Sequence, residues 1–395
     1  MTVLLVIIYL TFISLGLPDS LLGSAWPSMY GGFGVPVSSA GIISMIIAGG
    51  TIISSLSSDR LIRRAGTGTI TLVSVAMTAA ALLGISFSGS FAAVCLWAIP
   101  LGLGAGSVDA ALNNFVALHY KAAHMNWLHS FWGVGASAGP VILSFFLGRT
   151  GSWTSGYRVI SIIQCFLVAV LAVSFPLWKK VQAQTAPDTE EATRGHASFR
   201  ITELLKLPGA KPTLISFLCY GALESTVGLW GSTYLKFIRN IPAETAAGWI
   251  SLYYIGITLG RFLSGFLALK LSSRRMIRLG QMCIGLGIFC VMLPLPGIAA
   301  MAGLFMIGIG CAPIFPNLLH ETPKTFDRKY SQSIMGMQMA CSYTGTTFLP
   351  PLFGLLGSVT GYNLFPYYLG VLLIVMVLMV GMIFRSGKMK MRAGV

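Results

Sequence analysis

The chain has 395 residues, of which 55% are hydrophobic and only 9% charged, with a formal net charge of +15 and a mean hydropathy of +0.80. Soluble domains carry about 25% charged residues, so a soluble globular protein is excluded at the outset. Apolar runs at 2–15, 67–87, 91–104, 159–177, 279–304 and 364–384 reach, alone or with their flanks, the ~20 helical residues that cross a ~30 Å hydrocarbon core. The chain reads as an all-α membrane protein that crosses the bilayer many times.

Twelve spans are expected. The first, 2–29, begins at Thr2 with no Lys or Arg before it and outlasts a signal-peptide core, so it is expected to stay uncleaved. It contains "GLPDSLLGSAW", a carboxylate at Asp19 in an otherwise uncharged helix, and Trp26 beside Pro27 as an expected interface anchor. The second span, 38–57, runs into the basic loop "SSLSSDRLIRRAG", and the third covers 67–88. The fourth, 91–118, carries Asp109 with Asn113 four residues on, hence on one face. Glycines 102, 104 and 106 allow close helix approach there. The fifth, 126–148, places His129 and Trp132 three residues apart, and the sixth spans 156–178.

A polar connector, 179–210, separates an N-terminal six-helix bundle (1–178) from a C-terminal one (211–395). The seventh span, 211–235, holds Glu224 and Trp230; the eighth, 245–268, holds Arg261. For Arg261 the first expectation is snorkelling to the interface, the second an ion pair to a carboxylate of the cytoplasmic gate. The ninth is 276–294. The tenth, 297–321, carries Asn317 and ends in His320 and Glu321, both expected in water. The eleventh, 331–357, carries Gln338, and the twelfth is 363–385. The seven cysteines fall inside spans and form no CxxC pair, so neither a disulfide framework nor a metal site is indicated.

Lys and Arg fix an expected orientation. With the N-terminus inside, 21 of the 26 basic residues lie on the cytoplasmic side, and four, Arg149, Arg158, Lys236 and Arg239, lie outside. The net charge is thus explained by topology, and no nucleic-acid partner is needed. Both termini are expected in the cytoplasm, the protein in the cell's inner (plasma) membrane.

The sequence repeats itself. "GLPDSLLGSA" aligns with "GALESTVGLW" at an offset of 205, matching Gly16 with Gly221, Asp19 with Glu224, Ser20 with Ser225 and Gly23 with Gly228. "GIISMIIAGGT" aligns with "GWISLYYIGIT" at 207, matching Gly41/Gly248, Ser44/Ser251, Gly49/Gly256 and Thr51/Thr258. Two offsets near half the chain indicate a duplicated six-helix unit, and transporters built this way place their site at the midplane between repeats. A carboxylate inside a span costs about 2.5–3.5 kcal/mol on insertion scales, so it normally faces a cavity or a partner. Asp19, Asp109 and Glu224, as groups that bind and release protons, are the proton-handling candidates. The competing reading gives Asp19 and Glu224 a capping role in broken helices.

Twelve spans in a six-plus-six repeat with a basic loop after the second resemble the major facilitator superfamily. "SSLSSDRLIRRAG" resembles the family's G-x-L-A-D-R-x-G-R-K signature at Asp59, Arg60, Arg63 and Arg64, with Ser55 and Ile62 in place of both glycines. The resemblance implies a cytoplasmic gating role for those four residues. "GLPDSLLGSAWP", "GLGAGSVDAALNNFV", "NWLHSFWGVGASAGP", "GALESTVGLWGSTYL" and "APIFPNLLH" look closest to the fucose-proton symporter (sugar permease) branch. There the acids of the first and fourth helices serve proton-coupled sugar uptake, which the resemblance carries to Asp19 and Asp109.

The expected function is proton-coupled symport of a sugar or similar small polar solute by alternating access. No catalysis is expected, nor a cofactor beyond the coupling proton. Sodium is the alternative ion, since a carboxylate beside Asn and Ser oxygens suits a hard cation. Sugar sites combine hydroxyl partners with a flat apolar surface, which Asn113, His129, Trp132, Trp230, Asn317 and Gln338 supply; for His129 a plain structural hydrogen bond is the competing reading. Proton-driven efflux of drugs or sugars is the alternative function, supported by Gly135 and Gly139-Pro140, which resemble part of an antiporter motif. The expected partners are the solute and the lipid bilayer, with the protein a monomer.

Overall fold

Lipid offers no hydrogen-bond partner to a bare peptide group, so each apolar run closes its backbone bonds internally as a helix. The computed structural model describes residues 2–120, 122–184, 201–295 and 297–392. Its first half comprises α1 (Thr2–Asp19), α2 (Leu21–Met29), α3 (Ala40–Ala65), α4 (Thr67–Ser86), α5 (Phe91–His119), α6 (Ala122–Thr150), α7 (Trp153–Val173) and α8 (Phe175–Gln184). The second half comprises α9 (Ile201–Leu204), α10 (Ala210–Phe237), α11 (Ala243–Leu267), α12 (Ser273–Met292), α13 (Gly297–Cys311), α14 (Ile314–Thr325), α15 (Arg328–Thr360) and α16 (Phe365–Arg392). Residues 185–200 of the expected connector lie outside the described residues.

Eleven segments among the described residues are helical, long and apolar enough to cross a membrane. The eleventh expected span folds as α15, which at 33 residues is ~50 Å long and richer in Ser, Thr and Gln than the others. Two expected spans are broken. The first divides at Ser20, just after Pro18, whose ring removes a backbone donor. The tenth divides at Ala312–Pro313.

The basic signature expected in a loop belongs instead to a helix. α3 continues through Asp59, Arg60, Arg63 and Arg64 and stops only at Gly66, whose φ of +80° suits glycine alone. Arg63 and Arg64 sit in the last turn, where cations complement the helix dipole. Arg60, Arg63 and Arg64 are exposed, while the side chain of Asp59 lies outside the described part.

The chain forms two compact units: Met1–Pro187 with Gly231–Ile255, and Asp188–Trp230 with Gly256–Val395. In unit 1 the core gathers Leu4, Ile8 and Phe12 of α1, Phe115 and Val116 of α5, Leu128 of α6, Leu171 of α7 and Trp178 of α8. Polar side chains tie its helices, as when Gln164 donates to the Ser14 carbonyl at 2.8 Å and Ser161 to that of Ala79 at 2.8 Å. The tip formed by α10 and α11 joins this unit. Lys236 donates to the Pro27 carbonyl and Ser144 to that of Glu244. In unit 2, Leu204 of α9 packs with Phe326 and Ile334. Large apolar side chains such as Leu56, Phe166, Val173, Phe266 and Val359 stand exposed, as surfaces facing lipid do.

The duplication is built into each unit at one helix crossing. In unit 1 a Cβ at Gly16 would fall on the Trp132 carbonyl and one at Gly135 on that of Ile13, so α1 and α6 touch backbone to backbone. In unit 2 a Cβ at Gly221 would meet the Ser342 carbonyl, and one at Gly345 that of Leu218, for α10 and α15. Gly16/Gly221 and Ile13/Leu218 stand 205 apart, Trp132/Ser342 and Gly135/Gly345 210 apart.

Candidate functional site

The α1–α6 crossing positions the first acid. Asp19 ends α1 at the helix break and keeps an exposed edge. The close approach at Gly16 and Gly135 brings Trp132 alongside, and its indole Nε1 donates to Asp19 Oδ2 at 2.7 Å. His129, one turn earlier on α6, is exposed and meets the Phe12 ring edge-on at 5.8 Å. Nearer the start of α1, the Tyr9 hydroxyl and His124 Nδ1 are 2.9 Å apart, a pair the sequence reading missed for want of any spacing signal.

α5 supplies the second acid. As expected, Gly102 and Gly106 are approach points, each meeting an α3 carbonyl, of Ile47 and Thr51. Thr51 and Ser55 in turn donate to the Gly102 and Gly106 carbonyls at 3.2 and 3.1 Å. Asp109 is half-buried, and the Asn113 amide donates to its Oδ1 at 2.9 Å and to its carbonyl at 3.0 Å. Asp109 lies within electrostatic reach of Asp19. Unit 1 thus gathers two carboxylates, an indole, an amide and an imidazole on α1, α5 and α6.

The third acid has a different setting. Glu224 Oε1 lies 3.8 Å from Arg261 Nη2, with both side chains about a quarter exposed, and the Tyr220 hydroxyl donates to it. Arg261 is therefore paired inside unit 2 and does not snorkel. On α11, Gly256 and Gly260 pack on Phe305 and Ile309 of α13.

Three tryptophan and glutamine expectations need correction. Trp230 is fully buried, donates to the Pro350 carbonyl at 2.7 Å, and stacks on Tyr362 at 5.6 Å. Gln338 is fully buried with its amide 2.8 Å from the Thr322 hydroxyl. Trp26, expected at the interface, is also fully buried and donates to the Val37 carbonyl. In each case a buried polar atom has found a fixed partner, which periodicity along a helix does not announce. Asn317 is half-buried, and its amide donates to the Pro313 carbonyl at the α13–α14 break, at 2.7 Å.

Glu321, expected in water, is buried. It pairs with Arg274 at 3.3 Å and Lys324 at 3.0 Å, while His320 meets Ser273 at 3.1 Å. Gly139, half of the expected antiporter signature, rests on the Leu17 carbonyl and Ser20 hydroxyl. Helix packing accounts for that glycine.

Comparison with known proteins agrees with this architecture. The chain is 23% identical over 389 residues to Bypass of stop codon protein 6 of Saccharomyces cerevisiae, covering 90% of this chain and 77% of that one. It is 22% identical over 269 residues to the glucose/mannose transporter GlcP of Bacillus subtilis, covering 66% and 65%. Among solved structures, a variant of the nucleoside transporter NupG superposes with a TM-score of 0.76 at 13% identity, covering 96% of this chain and 98% of that one. A D-xylose-proton symporter superposes with 0.74 at 12% identity, covering 95% and 96%. At these identities the structures speak to the fold alone. The family model for the Major Facilitator Superfamily matches residues 8–329 and 243–392, and the chain belongs to that superfamily of membrane transporters.

Proposed function

We propose that the protein symports protons with a sugar or a similar small polar solute, by alternating access, across the cell's plasma membrane. The observation that carries this reading is the unit 1 cluster: exposed Asp19 on the Trp132 indole, beside Asp109 and its Asn113 amide. An ionised carboxylate only accepts hydrogen bonds, whereas a protonated one also donates. Proton binding therefore changes what Asp19 offers to a solute hydroxyl, and the two occupancies become linked. Trp132 and exposed His129 bring ring surface, and Asn113 brings amide hydrogen bonds, to the same unit. The similarity to a glucose/mannose transporter supports the sugar class. The coupling ion is the proton, with no other cofactor, and Asp59, Arg60, Arg63 and Arg64 serve the cytoplasmic gate.

The test is solute-induced pH change in proteoliposomes, with D-glucose, D-mannose and D-xylose as probes. External alkalinisation on adding one sugar, lost in Asp19→Asn or Asp109→Asn, is the expected result. Sugar flux that depends on sodium and moves no protons would replace the coupling ion. Energised extrusion of a lipophilic dye, with no sugar response, would move the assignment to efflux.

A further inference from the structure

Where the chain enters α10 it bends around an open cavity of about 590 Å³. Gly209 makes the bend with a φ of +88°, which glycine adopts without steric cost. The Ala210 amide donates to the Leu207 carbonyl at 3.0 Å, and the Thr213 hydroxyl to that of Gly209 at 2.7 Å. α9 is held in place by Leu204, which is buried with Phe326 and Ile334. On this packed base, Lys206, Lys211 and Thr202 give the cavity two ammonium groups and a hydroxyl, while Leu205, Leu207 and Pro212 give it apolar walls.

Both lysines are exposed, and among the described residues neither has an ion-pair or hydrogen-bond partner. Glu203, the carboxylate of α9, lies outside the lining. Two unmatched cations in one hollow favour an anion, and the apolar walls favour an anion that carries hydrocarbon. The surroundings are those of a membrane surface. Ile215, four residues beyond Lys211 and hence on the same face of α10, is exposed, and so is Ile201 of α9, outside the span. Lysine stems cover apolar surface in such places while their heads stay in polar surroundings. Charge bias accounts for lysines on one side of the membrane, but not for their convergence on a shared apolar hollow.

We propose that this cavity binds the headgroup of an anionic phospholipid. Lys206 and Lys211 match its negative charge, the Thr202 hydroxyl donates to a phosphate oxygen, and Leu205, Leu207 and Pro212 meet the start of its acyl chains. The orientation expected from Lys and Arg puts the site in the cytoplasmic leaflet, whose anionic lipids attract basic residues beside a span. The bound lipid ties α9 and the first turn of α10 to the bilayer. The site is independent of which solute the protein carries.

The experiment uses the full chain in phosphatidylcholine vesicles with and without phosphatidylglycerol. A phosphatidylglycerol with a photoreactive headgroup should label peptides within 201–213, and the unlabelled lipid should suppress that labelling. In Lys206→Gln/Lys211→Gln the apparent affinity should fall about 25-fold, about five-fold for each lysine. Lys270→Gln/Arg275→Gln removes the same charge from exposed residues elsewhere in the unit and should leave the labelling of 201–213 unchanged. Mapping the label in the unmodified chain keeps the proposal testable if the double lysine variant does not fold. Label confined to peptides outside 201–213, or equal loss in both double variants, would overturn the site in favour of diffuse surface charge. Inorganic phosphate that suppresses labelling as well as the lipid does would overturn the lipid assignment and make the occupant a soluble anion.

Discussion

Trp132 and Trp230 present the same side chain in opposite circumstances. Trp132 is half-buried with its indole N–H on the exposed carboxylate of Asp19; Trp230 is fully buried with its N–H on a backbone carbonyl. Replacing each by Phe keeps most of the ring and deletes the donor. A hydrogen bond to a charged group contributes about 1.5–3 kcal/mol, but water can replace the lost donor at the exposed Asp19 carboxylate, so Trp132→Phe should change the unfolding temperature little while weakening the proposed proton-coupled uptake roughly 10-fold. Trp230→Phe leaves the buried Pro350 carbonyl without its donor, at about 1–3 kcal/mol. It should lower the unfolding temperature and leave transport per folded molecule intact. Paired uptake and thermal-unfolding measurements check both, and a Trp230→Phe protein that folds normally but transports poorly would return Trp230 to the solute site. In the sequence Trp230 shares a span with Glu224, whereas the span of Trp132 carries no acid. Sequence alone could not pair Trp132 with Asp19, because the two meet only through the crossing of two helices far apart in the chain.

At the scale of helices, the site depends on backbone contact at the α1–α6 crossing. Gly135 meets the Ile13 carbonyl, and neither main chain can yield locally as a side chain could. Overpacking of this kind costs about 1–3 kcal/mol, so Gly135→Ala should lower the unfolding temperature. It should also impair uptake, since parting the helices draws Trp132 from Asp19. Gly345→Ala, at the matching α10–α15 crossing, should destabilise to a similar degree. Gly148 on α6 has open space where a Cβ would stand, and Gly148→Ala serves as the neutral control. Unfolding midpoints of the three variants in detergent test this; equal midpoints would mean that the crossing tolerates the added methyl. Most helices were legible from apolar runs alone, because lipid forces each run to satisfy its own backbone. Their ends were less so. The sequence predicts a second span of 38–57 with a basic loop after it, whereas α3 carries Arg60, Arg63 and Arg64 as exposed helical residues and stops at Gly66. The divisions at Ser20 and at Ala312–Pro313 fall inside apolar runs, where composition does not change.

Across the whole molecule, the distribution of cations argues for one orientation. The four basic residues assigned to the outer side all rest on aromatic rings. Arg149 lies 4.5 Å from the Phe145 ring, Arg158 4.6 Å from that of Phe87, and Arg239 5.8 Å from that of Tyr234. Lys236 lies between the Tyr30 and Phe237 rings, at 5.9 and 5.4 Å, and donates to Pro27. A cation held against a ring contributes about 0.5–1 kcal/mol at exposed sites and more when desolvated, so each of these charges has a local structural reason to be there. Arg60, Arg63 and Arg64 stand together, exposed, at the end of α3. If charge asymmetry orients the chain, the exposed cluster must mark the cytoplasmic side and the ring-bound four should matter little to insertion. A fluorescent protein fused after Val395 should therefore fluoresce in the cytoplasm, and alkaline phosphatase inserted after Arg239 should be active outside. Both results should persist when Arg149 and Arg158 are changed to Gln, because their contribution is to packing. Replacing Arg60, Arg63 and Arg64 together by Gln should weaken the bias and yield molecules of mixed orientation. An active phosphatase fused after Val395 in the unmodified chain would reverse the assignment, and with it the direction of the proposed symport.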